Sequence, residues 1–465
     1  MSKNKAGIVA IVGRANVGKS SLFNAVLHRR EAIIANEPGT TRDSLTAKAS
    51  YHDRDFWLVD TAGLKTAEDD FELTIQEQIT QAAESADVIL VVVEAAVGIT
   101  EEDRRVAKLA LKTGKPVALL INKADQAKKA DLSIFERLGI KQRFETSAIH
   151  LTGVAEALDF VIDNIPRADI KEADDRLHLA ILGRPNVGKS ALFNTLAKKQ
   201  QAIVADRAGT TRDVNRTIVR YNGQEIELMD TAGIRRSGRI ERGVEHFSVL
   251  RSLRAIEDSD VCLVVMDGNE YATALDQKIA GMVKEAGKGL IICISKWDSV
   301  EKDPYTAVAL TKTVKDSFSF VPFAPLILTS SVSGQNVSKI FELALNIMQT
   351  RRTEIATAKL NTWLRLMIDR HLPAGLKNSR PKLNYITQLK DQSVPTFKIF
   401  GAHTELLHWS YKRYLEREMR EAFGFDGTAI KMIYTEKHED KAKTIGKDWK
   451  KHLRADQLPK RMQKP

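Results

Sequence analysis

Short apolar runs alternate with longer amphipathic segments along the first 350 residues. The runs are four to six residues long and rich in Val, Ile and Leu, which is typical of strands buried on both faces of a parallel sheet. The segments between them have apolar residues at helical spacing, and this alternation favours a βαβ architecture. The predicted strands are Ile8–Val12, Phe56–Val59, Val88–Val93, Val117–Ile121, Leu177–Leu182, Ile226–Met229, Val261–Met266 and Leu290–Ile294.

The chain contains an internal repeat. The segment GRANVGKS at Gly13–Ser20 returns as GRPNVGKS at Gly183–Ser190, 170 positions later. A period this long predicts two whole domains rather than a solenoid. The other repeated motifs are GTTRD at Gly39–Asp43 and Gly209–Asp213, DTAG at Asp60–Gly63 and Asp230–Gly233, and NKAD at Asn122–Asp125 against SKWD at Ser295–Asp298.

The pattern G-x-x-x-x-G-K-[ST] in both copies predicts a phosphate-binding P-loop. Each match follows a predicted strand and precedes a helical segment, which is the context that this loop requires. Its backbone N–H groups and the helix N-terminus cradle the phosphates, the lysine reaches the β and γ oxygens, and the serine binds Mg2+. The predicted contacts are Gly13, Arg14, Ala15, Asn16, Val17, Gly18, Lys19 and Ser20, and Gly183, Arg184, Pro185, Asn186, Val187, Gly188, Lys189 and Ser190.

The DTAG motif ends the next strand of each copy, where an aspartate can hold the magnesium shell and a glycine N–H can reach a γ-phosphate. The threonine pair before it can reach the metal only when that phosphate orders the loop, which predicts a switch. The predicted magnesium ligands are Ser20, Thr41, Asp60, Ser190, Thr211 and Asp230. Further nucleotide contacts are predicted at Thr61, Ala62, Gly63, Leu64, Thr231, Ala232, Gly233 and Ile234.

The NKxD motifs predict guanine as the base. Their aspartate can accept from N1–H and the 2-amino group together, whereas adenine lacks that amino group and has an acceptor at N1. The predicted guanine contacts are Asn122, Lys123, Ala124 and Asp125, and Ser295, Lys296, Trp297 and Asp298. Ser295 replaces the asparagine of the first copy. Because serine lacks the amide that would tie the base to the P-loop, we predict guanine binding about tenfold weaker at the second site.

A water-orienting glutamine follows the DTAG glycine in many GTPases, but here Leu64 and Ile234 occupy that position. Either hydrolysis is lost or another group supplies it. The P-loop asparagines could ligate a K+ ion where an arginine finger would place its charge, and the alternative is an asparagine chosen for turn geometry. The predicted catalytic residues are Lys19, Asn16, Thr41, Lys189, Asn186 and Thr211, with Asn16 and Asn186 as the K+ ligands.

Tandem domains with GRxNVGKS, GTTRD, DTAG and [NS]KxD, followed by a basic C-terminal domain, resemble the Der/EngA family of double-Era-like GTPases. The segment His246–Glu257 is also similar to that family. The resemblance implies potassium-stimulated hydrolysis without the glutamine, and binding to the large ribosomal subunit during its assembly. Two segments depart from the family pattern on the guanine side of the second site: Ser295, and Thr329–Ser331 in place of the first copy's Thr146–Ala148.

The last quarter of the chain predicts an α+β domain that resembles the KH-like domain of this family. A working KH loop has GXXG between two helices. The only match, Gly424–Gly427, lies where a helix leads into a strand, so a helix C-cap and turn explain it better. The predicted elements are helix Glu354–Asp369, strands Lys382–Leu389 and Thr396–Phe400, helix Glu405–Phe423 and strand Ala429–Tyr434.

The basic charge is concentrated at the C-terminal end. Residues 351–465 carry 25 Lys+Arg against 13 Asp+Glu, a net charge of +12, although the whole chain of 465 residues has only +11. This asymmetry favours nucleic acid as the partner of that end, with a membrane surface or a solubilising tail as alternatives. Residues 438–465 predict a disordered basic arm whose phosphate contacts weaken with salt.

The composition is that of a soluble globular protein, with 43% hydrophobic and 28% charged residues. There is no apolar run of about 18 residues and no signal-peptide pattern. Cys262 and Cys293 fall inside predicted strands, which indicates core residues rather than redox or metal groups. We therefore predict a cytoplasmic monomer without a membrane partner.

The predicted fold class is α/β: two tandem Ras-like P-loop G domains, each a mostly parallel sheet with helices on both faces, plus a C-terminal α+β KH-like domain. The expected function is GTP hydrolysis to GDP in assembly of the large (50S) ribosomal subunit, with the GTP state controlling subunit and rRNA binding. Alternatives are a binding switch with negligible hydrolysis, a membrane-surface GTPase, and a tRNA-modification GTPase, which would require catalytic cysteine chemistry. The predicted boundaries are 1–166, a charged linker 167–175, 176–352, 353–437 and the tail 438–465.

Overall fold

The structure is a computed structural model of the chain. It describes residues 5–27, 33–34, 46–52, 54–61, 79–80, 82, 84–127, 131–166, 176–199, 215–230, 249–301, 303–375, 380–390 and 392–436. The chain divides into two compact units, Met1–Arg352 with Phe425–Ala429, and Thr353–Gly424 with Ile430–Pro465.

A seven-stranded sheet forms the centre of the first repeat. Its strands are β1 (Gly7–Val12), β2 (Ile33–Ile34), β3 (Thr46–Tyr51), β4 (Arg54–Asp60), β5 (Val88–Glu94), β6 (Val117–Asn122) and β7 (Gln142–Glu145). The spatial order is β2-β3-β4-β1-β5-β6-β7, and all neighbours from β4 to β7 run parallel. The carboxyl ends of β1, β4 and β6 therefore lie along one edge, which is where open α/β sheets bind ligands.

Helices complete the first repeat: α1 (Lys19–Leu27), α2 (Glu101–Leu111) and α3 (Val154–Asn164), with 3-10 turns at Ala124–Gln126 and Leu132–Leu138. Helix α2 begins at a capping box, in which the Thr100 side chain accepts from Asp103 N and the Asp103 side chain accepts from Thr100 N. Every residue of β1 is buried, in agreement with its uninterrupted apolar sequence.

The second repeat has the same plan with six strands. They are β8 (Leu177–Gly183), β9 (Asn215–Tyr221), β10 (Gln224–Asp230), β11 (Val261–Asp267), β12 (Gly289–Ser295) and β13 (Leu326–Leu328). The order β13-β12-β11-β8-β10-β9 is parallel except for the antiparallel pair β9 and β10. Its helices are α4 (Lys189–Lys199), α5 (Val249–Asp258), α6 (Ala274–Glu285), α7 (Thr306–Ser317) and α8 (Lys339–Arg351).

All eight predicted strands of the two repeats are confirmed, each within two residues of the expected ends. The predicted strands did not include β2, β3, β7, β9 or β13. Of these, β3 and β9 are the longest. Both pair antiparallel at or near a sheet edge, and both mix polar with apolar residues. In β3 only three of six positions are buried, so no continuous apolar run marks it.

The two repeats pack against each other through helix α5. Its side chains Leu250, Leu253 and Ile256 are buried in the same hydrophobic cluster as Ala6 and Trp57 of the first repeat. Within the compact unit that holds both repeats, the helix that follows the second DTAG motif thus rests on the first repeat.

The C-terminal unit has the predicted order of helix, strand, strand, helix and strand. These are α9 (Thr357–Arg370), β14 (Lys382–Leu389), β15 (Thr396–Ala402), α10 (Trp409–Phe423) and β16 (Lys431–Glu436), and the sheet order is β14-β15-β16. The second helix begins at Trp409, four residues after the predicted start at Glu405. Thr404–Leu406 forms a separate 3-10 turn, and His408 caps α10 by accepting from Ser410 N.

The GXXG segment does not form an exposed loop. Gly424 ends α10 with a φ of 86°, and Phe425 is 1% exposed. Gly427 N donates to Phe323 O, and Gly427 O accepts from Leu290 N at 2.8 Å. The segment is therefore a helix end and turn, as the sequence indicated, and Gly427 belongs to the same compact unit as the second repeat. Among the residues described above, no helix is long and apolar enough to cross a membrane.

Candidate nucleotide-binding sites

The two P-loops have the same backbone conformation. Asn16 and Asn186 have φ of 64° and 62°, and Gly18 and Gly188 have φ of 93° and 92°. Left-handed positions of this kind favour Gly and Asn, which explains why both residue types recur in both copies. Each loop joins the end of its first strand to the helix that starts at the P-loop lysine.

The P-loop lysines are buried and lie across their own loops. Lys19 Nζ donates to Gly13 O at 2.7 Å and also to Arg14 O, and Lys189 Nζ donates to Arg184 O. Both side chains are less than a tenth exposed. A buried ammonium that is bonded to loop carbonyls is placed to meet a phosphate held in the same loop.

The predicted magnesium ligands at the ends of the loop and the strand lie together in both copies. Ser20 Oγ donates to Asp60 Oδ2 at 2.6 Å, and Ser190 Oγ donates to Asp230 Oδ2 at 3.2 Å. Across the described ranges, no group of three or more His, Cys, Asp or Glu side chains could hold a metal by itself. The Ser–Asp pairs offer a donor set that suits Mg2+, which is commonly held by one or two side chains together with phosphates and water.

The first NKxD loop borders an open cavity beside the P-loop. Asn122 Nδ2 donates to Val17 O at 2.9 Å and so joins the strand end to that loop. Lys123 has a φ of 59°, and its Nζ donates to Asn16 O at 3.1 Å. The cavity is lined by Gly18, Ser21, Asn122, Lys123, Asp125, Gln126, Ser147, Ala148 and Ile149.

The second loop repeats this arrangement with serine in place of asparagine. Ser295 Oγ donates to Val187 O, so the second site keeps a bond from the strand end to the P-loop. Lys296 Nζ donates to Asn186 O at 2.8 Å. Trp297 is buried, and its backbone N–H donates to Thr329 O, as Ala124 N does to Thr146 O in the first copy. The Trp297 side chain packs within a hydrophobic core cluster.

Two acidic residues that the motifs did not single out hold these lysines. Glu94 Oε1 accepts from Lys123 at 2.9 Å, and Asp267 Oδ2 accepts from Lys296 at 2.7 Å. The Lys123 bond holds the pKa of Glu94 below its ordinary value. Burial acts to raise the pKa of Asp267, but the hydrogen bonds from Lys296 and from Asn269 N, together with the nearby charges of Lys296 and Arg184, outweigh burial and lower the pKa. Glu94 and Asp267 end equivalent strands and lie 173 positions apart, the same offset as the NKxD motifs. The internal repeat is therefore the sequence feature that could have identified them.

The P-loop arginines bind carboxylates of their own domains. Arg14 Nη2 lies 3.2 Å from Glu94 Oε2. Arg184 pairs with Glu270 at 3.1 Å and with Asp276 at 3.2 Å. The side chains of Arg14 and Arg184 are thus held by acids of their own domains, and their part in nucleotide binding stays a prediction.

Several predicted residues lie outside the described part of the chain, so the structure adds nothing to their roles. They are Thr41, Ala62, Gly63, Leu64, Thr211, Thr231, Ala232, Gly233 and Ile234, as well as the linker 167–175 and the tail 438–465.

The positive φ of both P-loop asparagines, Asn16 and Asn186, supports turn geometry as one reason for an asparagine at this position. Both side chains are exposed.

Comparison with known proteins gives consistent matches over most of the chain. A family model described as "50S ribosome-binding GTPase" matches residues 8–123 and 178–296, and one described as "KH-domain-like of EngA bacterial GTPase enzymes, C-terminal" matches 354–435. A protein named GTPase Der from Lachnoclostridium phytofermentans is 41% identical over 95% of this chain and 100% of that protein. Another from Chloroflexus aggregans is 42% identical over 92% and 97%.

Solved structures resemble parts of the chain. Aquifex aeolicus Era bound to GDP.AlF4− is 20% identical, covers 56% of this chain and 92% of that one, and has a TM-score of 0.28. The G domain of the T. maritima FeoB iron transporter is 26% identical, covers 34% and 98%, and has a TM-score of 0.27. The predicted α/β fold class, with two G domains and a KH-like domain, is confirmed by the sheets and the family matches.

Proposed function

Because the chain belongs to the Der/EngA family of GTPases, we propose that it binds and hydrolyses GTP at two sites and that its GTP-bound state binds the large ribosomal subunit during assembly. One observation carries the proposal. In each repeat a buried P-loop lysine, a Ser–Asp pair and an NKxD-type loop meet at the carboxyl edge of one parallel sheet.

The proposed roles follow from these positions. Lys19 and Lys189 would hold the β and γ oxygens, and Mg2+ held by each Ser–Asp pair would neutralise phosphate charge. Asp125 and Asp298 would read the guanine edge. The predicted switch threonines, Thr41 and Thr211, would close on the metal when GTP is bound. The boundaries 1–166, 176–352 and 353–437 are our proposed domains.

We propose K+ as the activator that stands in for the missing glutamine. Asn16 and Asn186 carry exposed amides on the P-loop, and an amide oxygen is a suitable ligand for a monovalent cation. A cation bound there would supply positive charge next to the reacting phosphate. The competing function, a binding switch with negligible hydrolysis, rests on Leu64 and Ile234.

Steady-state GTP turnover by the full chain separates these two functions. The proposal predicts phosphate release in potassium buffer and a much slower rate in sodium buffer. Lys19→Ala and Lys189→Ala should each remove the contribution of one site, and the double variant should remove turnover. No turnover in potassium by a chain that still binds GTP would favour the binding switch.

The proposed partner is the large ribosomal subunit with its rRNA, bound by a cytoplasmic monomer. The family model's description and the basic C-terminal quarter support this partner, since clustered Lys and Arg favour phosphate backbones. Sedimentation with isolated large and small subunits tests it, with a non-hydrolysable GTP analogue present. Retention on the large subunit alone is expected, and equal retention on both subunits would contradict it.

The second site is proposed to bind guanine nucleotides about tenfold more weakly than the first, since Ser295 offers fewer hydrogen bonds than Asn122. Titration of GDP into Lys19→Ala and Lys189→Ala chains gives the two affinities separately. Equal affinities would contradict this part of the proposal.

A further inference from the structure

The arginine of the first P-loop is held by two acids from outside the loop. Arg14 Nη2 lies 3.2 Å from Glu94 Oε2, and Arg14 Nε lies 3.6 Å from Asp103 Oδ1. Glu94 is the last residue of β5, and Asp103 belongs to the capping box that begins α2. The phosphate loop is therefore tied through Arg14 to a strand end and a helix start of its own domain.

Glu94 also holds the guanine-side loop. Its other oxygen, Oε1, accepts from Lys123 Nζ at 2.9 Å, and Lys123 in turn donates to Asn16 O of the P-loop. Against the effect of burial, the Lys123 bond and the charge and bond of Arg14 lower the pKa of Glu94. One carboxylate with a side chain 15% exposed is thus shared by the phosphate loop and the guanine loop.

The second site has separate acids for the two cations. Asp267, at the end of β11, accepts from Lys296 at 2.7 Å. Arg184 instead donates to Glu270 Oε2 at 3.1 Å and to Asp276 Oδ1 at 3.2 Å. Asp276 belongs to the capping box that begins α6. The phosphate loop and the guanine loop of this site are therefore held by different carboxylates.

Two differences between the repeats explain this arrangement. The acid at the strand end is one methylene longer in Glu94 than in its equivalent in the second repeat. The position of Glu270 is taken in the first repeat by Val97, which lies 173 residues earlier and is 56% exposed. Within the described residues, the buried Arg14 Nε has no hydrogen-bond acceptor. Arg14 therefore depends on Glu94 for its hydrogen bond to an acid.

We propose that Glu94 is a positioning residue of the first nucleotide site, which holds the phosphate loop and the guanine loop together through Arg14 and Lys123. The second site divides this task between Asp267 and the acids that hold Arg184. A partly buried charge that loses its partner is destabilising, so loss of the Glu94 charge should loosen both loops of the first site. The inference rests on the proposed guanine-nucleotide function of both sites.

Glu94→Gln and Asp267→Asn are matched variants, because each removes one charge and keeps the shape of the side chain. Calorimetry with GDP in Mg2+ buffer measures their effects, in full chains that carry Lys189→Ala to report the first site or Lys19→Ala to report the second. Glu94→Gln should weaken GDP binding by about tenfold or more, since two charged hydrogen bonds are lost, and Asp267→Asn by about threefold or less. Equal losses, or a larger loss at the second site, would overturn the inference.

Rescue separates positioning of the loops from a general loss of stability. Glu94→Asp leaves an acid that reaches Lys123, as Asp267 reaches Lys296, but that is too short to reach Arg14 as well. It should weaken GDP binding at the first site by about fivefold. Adding Val97→Glu supplies Arg14 with the acid that the second site has, and should restore the affinity to within about twofold. Recovery of the melting temperature without recovery of the affinity would overturn the inference.

Reciprocal variants make the opposite exchange in the second site. Glu270→Val should weaken GDP binding by about threefold, because the pair that it removes is partly exposed. Asp267→Glu should then restore the affinity, since the longer acid can serve both Arg184 and Lys296. These variants decide the question if Glu94→Asp fails to fold by circular dichroism, and absence of rescue here would then overturn the inference.

The parent chains distinguish the inference from the function on which it rests. GDP binding by the Lys189→Ala and Lys19→Ala chains leaves the proposed function standing whatever the further variants show. Failure of both parent chains to bind GDP would overturn the proposed function, and the inference with it.

Discussion

The Trp57 indole donates a 2.7 Å hydrogen bond to Glu257 Oε1, and this bond joins strand β4 of the first G domain to helix α5 of the second. Both residues are buried. The other carboxylate oxygen accepts from Ala6 N at 3.3 Å and lies 3.9 Å from Lys288 Nζ. A buried carboxylate is therefore satisfied by groups from both domains, which makes it a central contact between them.

Glu257→Ala should lower the free energy of unfolding by about 3 kcal/mol, because it leaves the Trp57 N–H and the Lys288 ammonium buried without this partner. Glu84→Ala is the matched control, since Glu84 pairs with Arg251 at 2.7 Å in a partly exposed setting, where an ion pair contributes about 0–1 kcal/mol. Urea unfolding followed by tryptophan fluorescence measures both. Equal losses would contradict the central role of Glu257.

Both cysteines should be unreactive in the folded protein. Burial raises the pKa of the Cys262 thiol to about 12, and it does the same for Cys293. The reactive thiolate is therefore nearly absent at pH 8. Thiol titration with a chromogenic disulfide should detect no cysteine in native buffer and both in denaturant. Rapid native labelling of either thiol would contradict the core assignment made from the strand positions.

Gly427→Ala should destabilise the protein by about 2–4 kcal/mol. Its new Cβ would overlap Ile347 Cγ1, and Gly427 has a φ of 72°. Gly424→Ala shares the positive φ but has open space around the new Cβ, so it should cost only about 1 kcal/mol. Thermal unfolding compares the two variants. A larger loss at Gly424 would show that packing on the second domain does not determine the GXXG sequence.

Asn16→Gly and Asn186→Gly test the two reasons for the P-loop asparagine. Glycine adopts the same left-handed conformation as Asn16 and Asn186 but has no amide oxygen. If the amide binds K+, each variant should lose potassium stimulation at its own site, by about tenfold or more in rate, while GDP affinity stays near its original value. GTP turnover in potassium and in sodium measures this. Unchanged stimulation would assign the asparagine to turn geometry alone.

Continuous apolar runs such as Val88–Val93 predicted the parallel strands because both faces of those strands are buried. Strands at or near a sheet edge, such as β9 and β3, mix polar with apolar residues, so the same rule could not find them. Likewise, the helix predicted to begin at Glu405 begins at Trp409, since the cap at His408 depends on a side-chain bond. Boundaries of this kind are set by local bonds rather than by periodicity.

Motif spacing placed the P-loop, aspartate and NKxD residues at the correct edge of each sheet, because each follows a strand that the apolar pattern had already located. It did not reveal Glu94 and Asp267, whose role depends on contact with Lys123 and Lys296. Nor could it show that Ser295 reaches the P-loop carbonyl of Val187. Such pairings join residues about 30 to 110 positions apart, and only the folded chain brings them together.

Co-sedimentation with ribosomal subunits tests whether the bound nucleotide controls ribosome binding. The full chain would be compared in potassium buffer at moderate salt with a non-hydrolysable GTP analogue, with GDP and without nucleotide. We expect the chain to pellet with the large subunit only when the analogue is present, and the Lys19→Ala, Lys189→Ala double variant to stay in the supernatant. Equal association under all three conditions would contradict this expectation and attribute binding to basic charge alone.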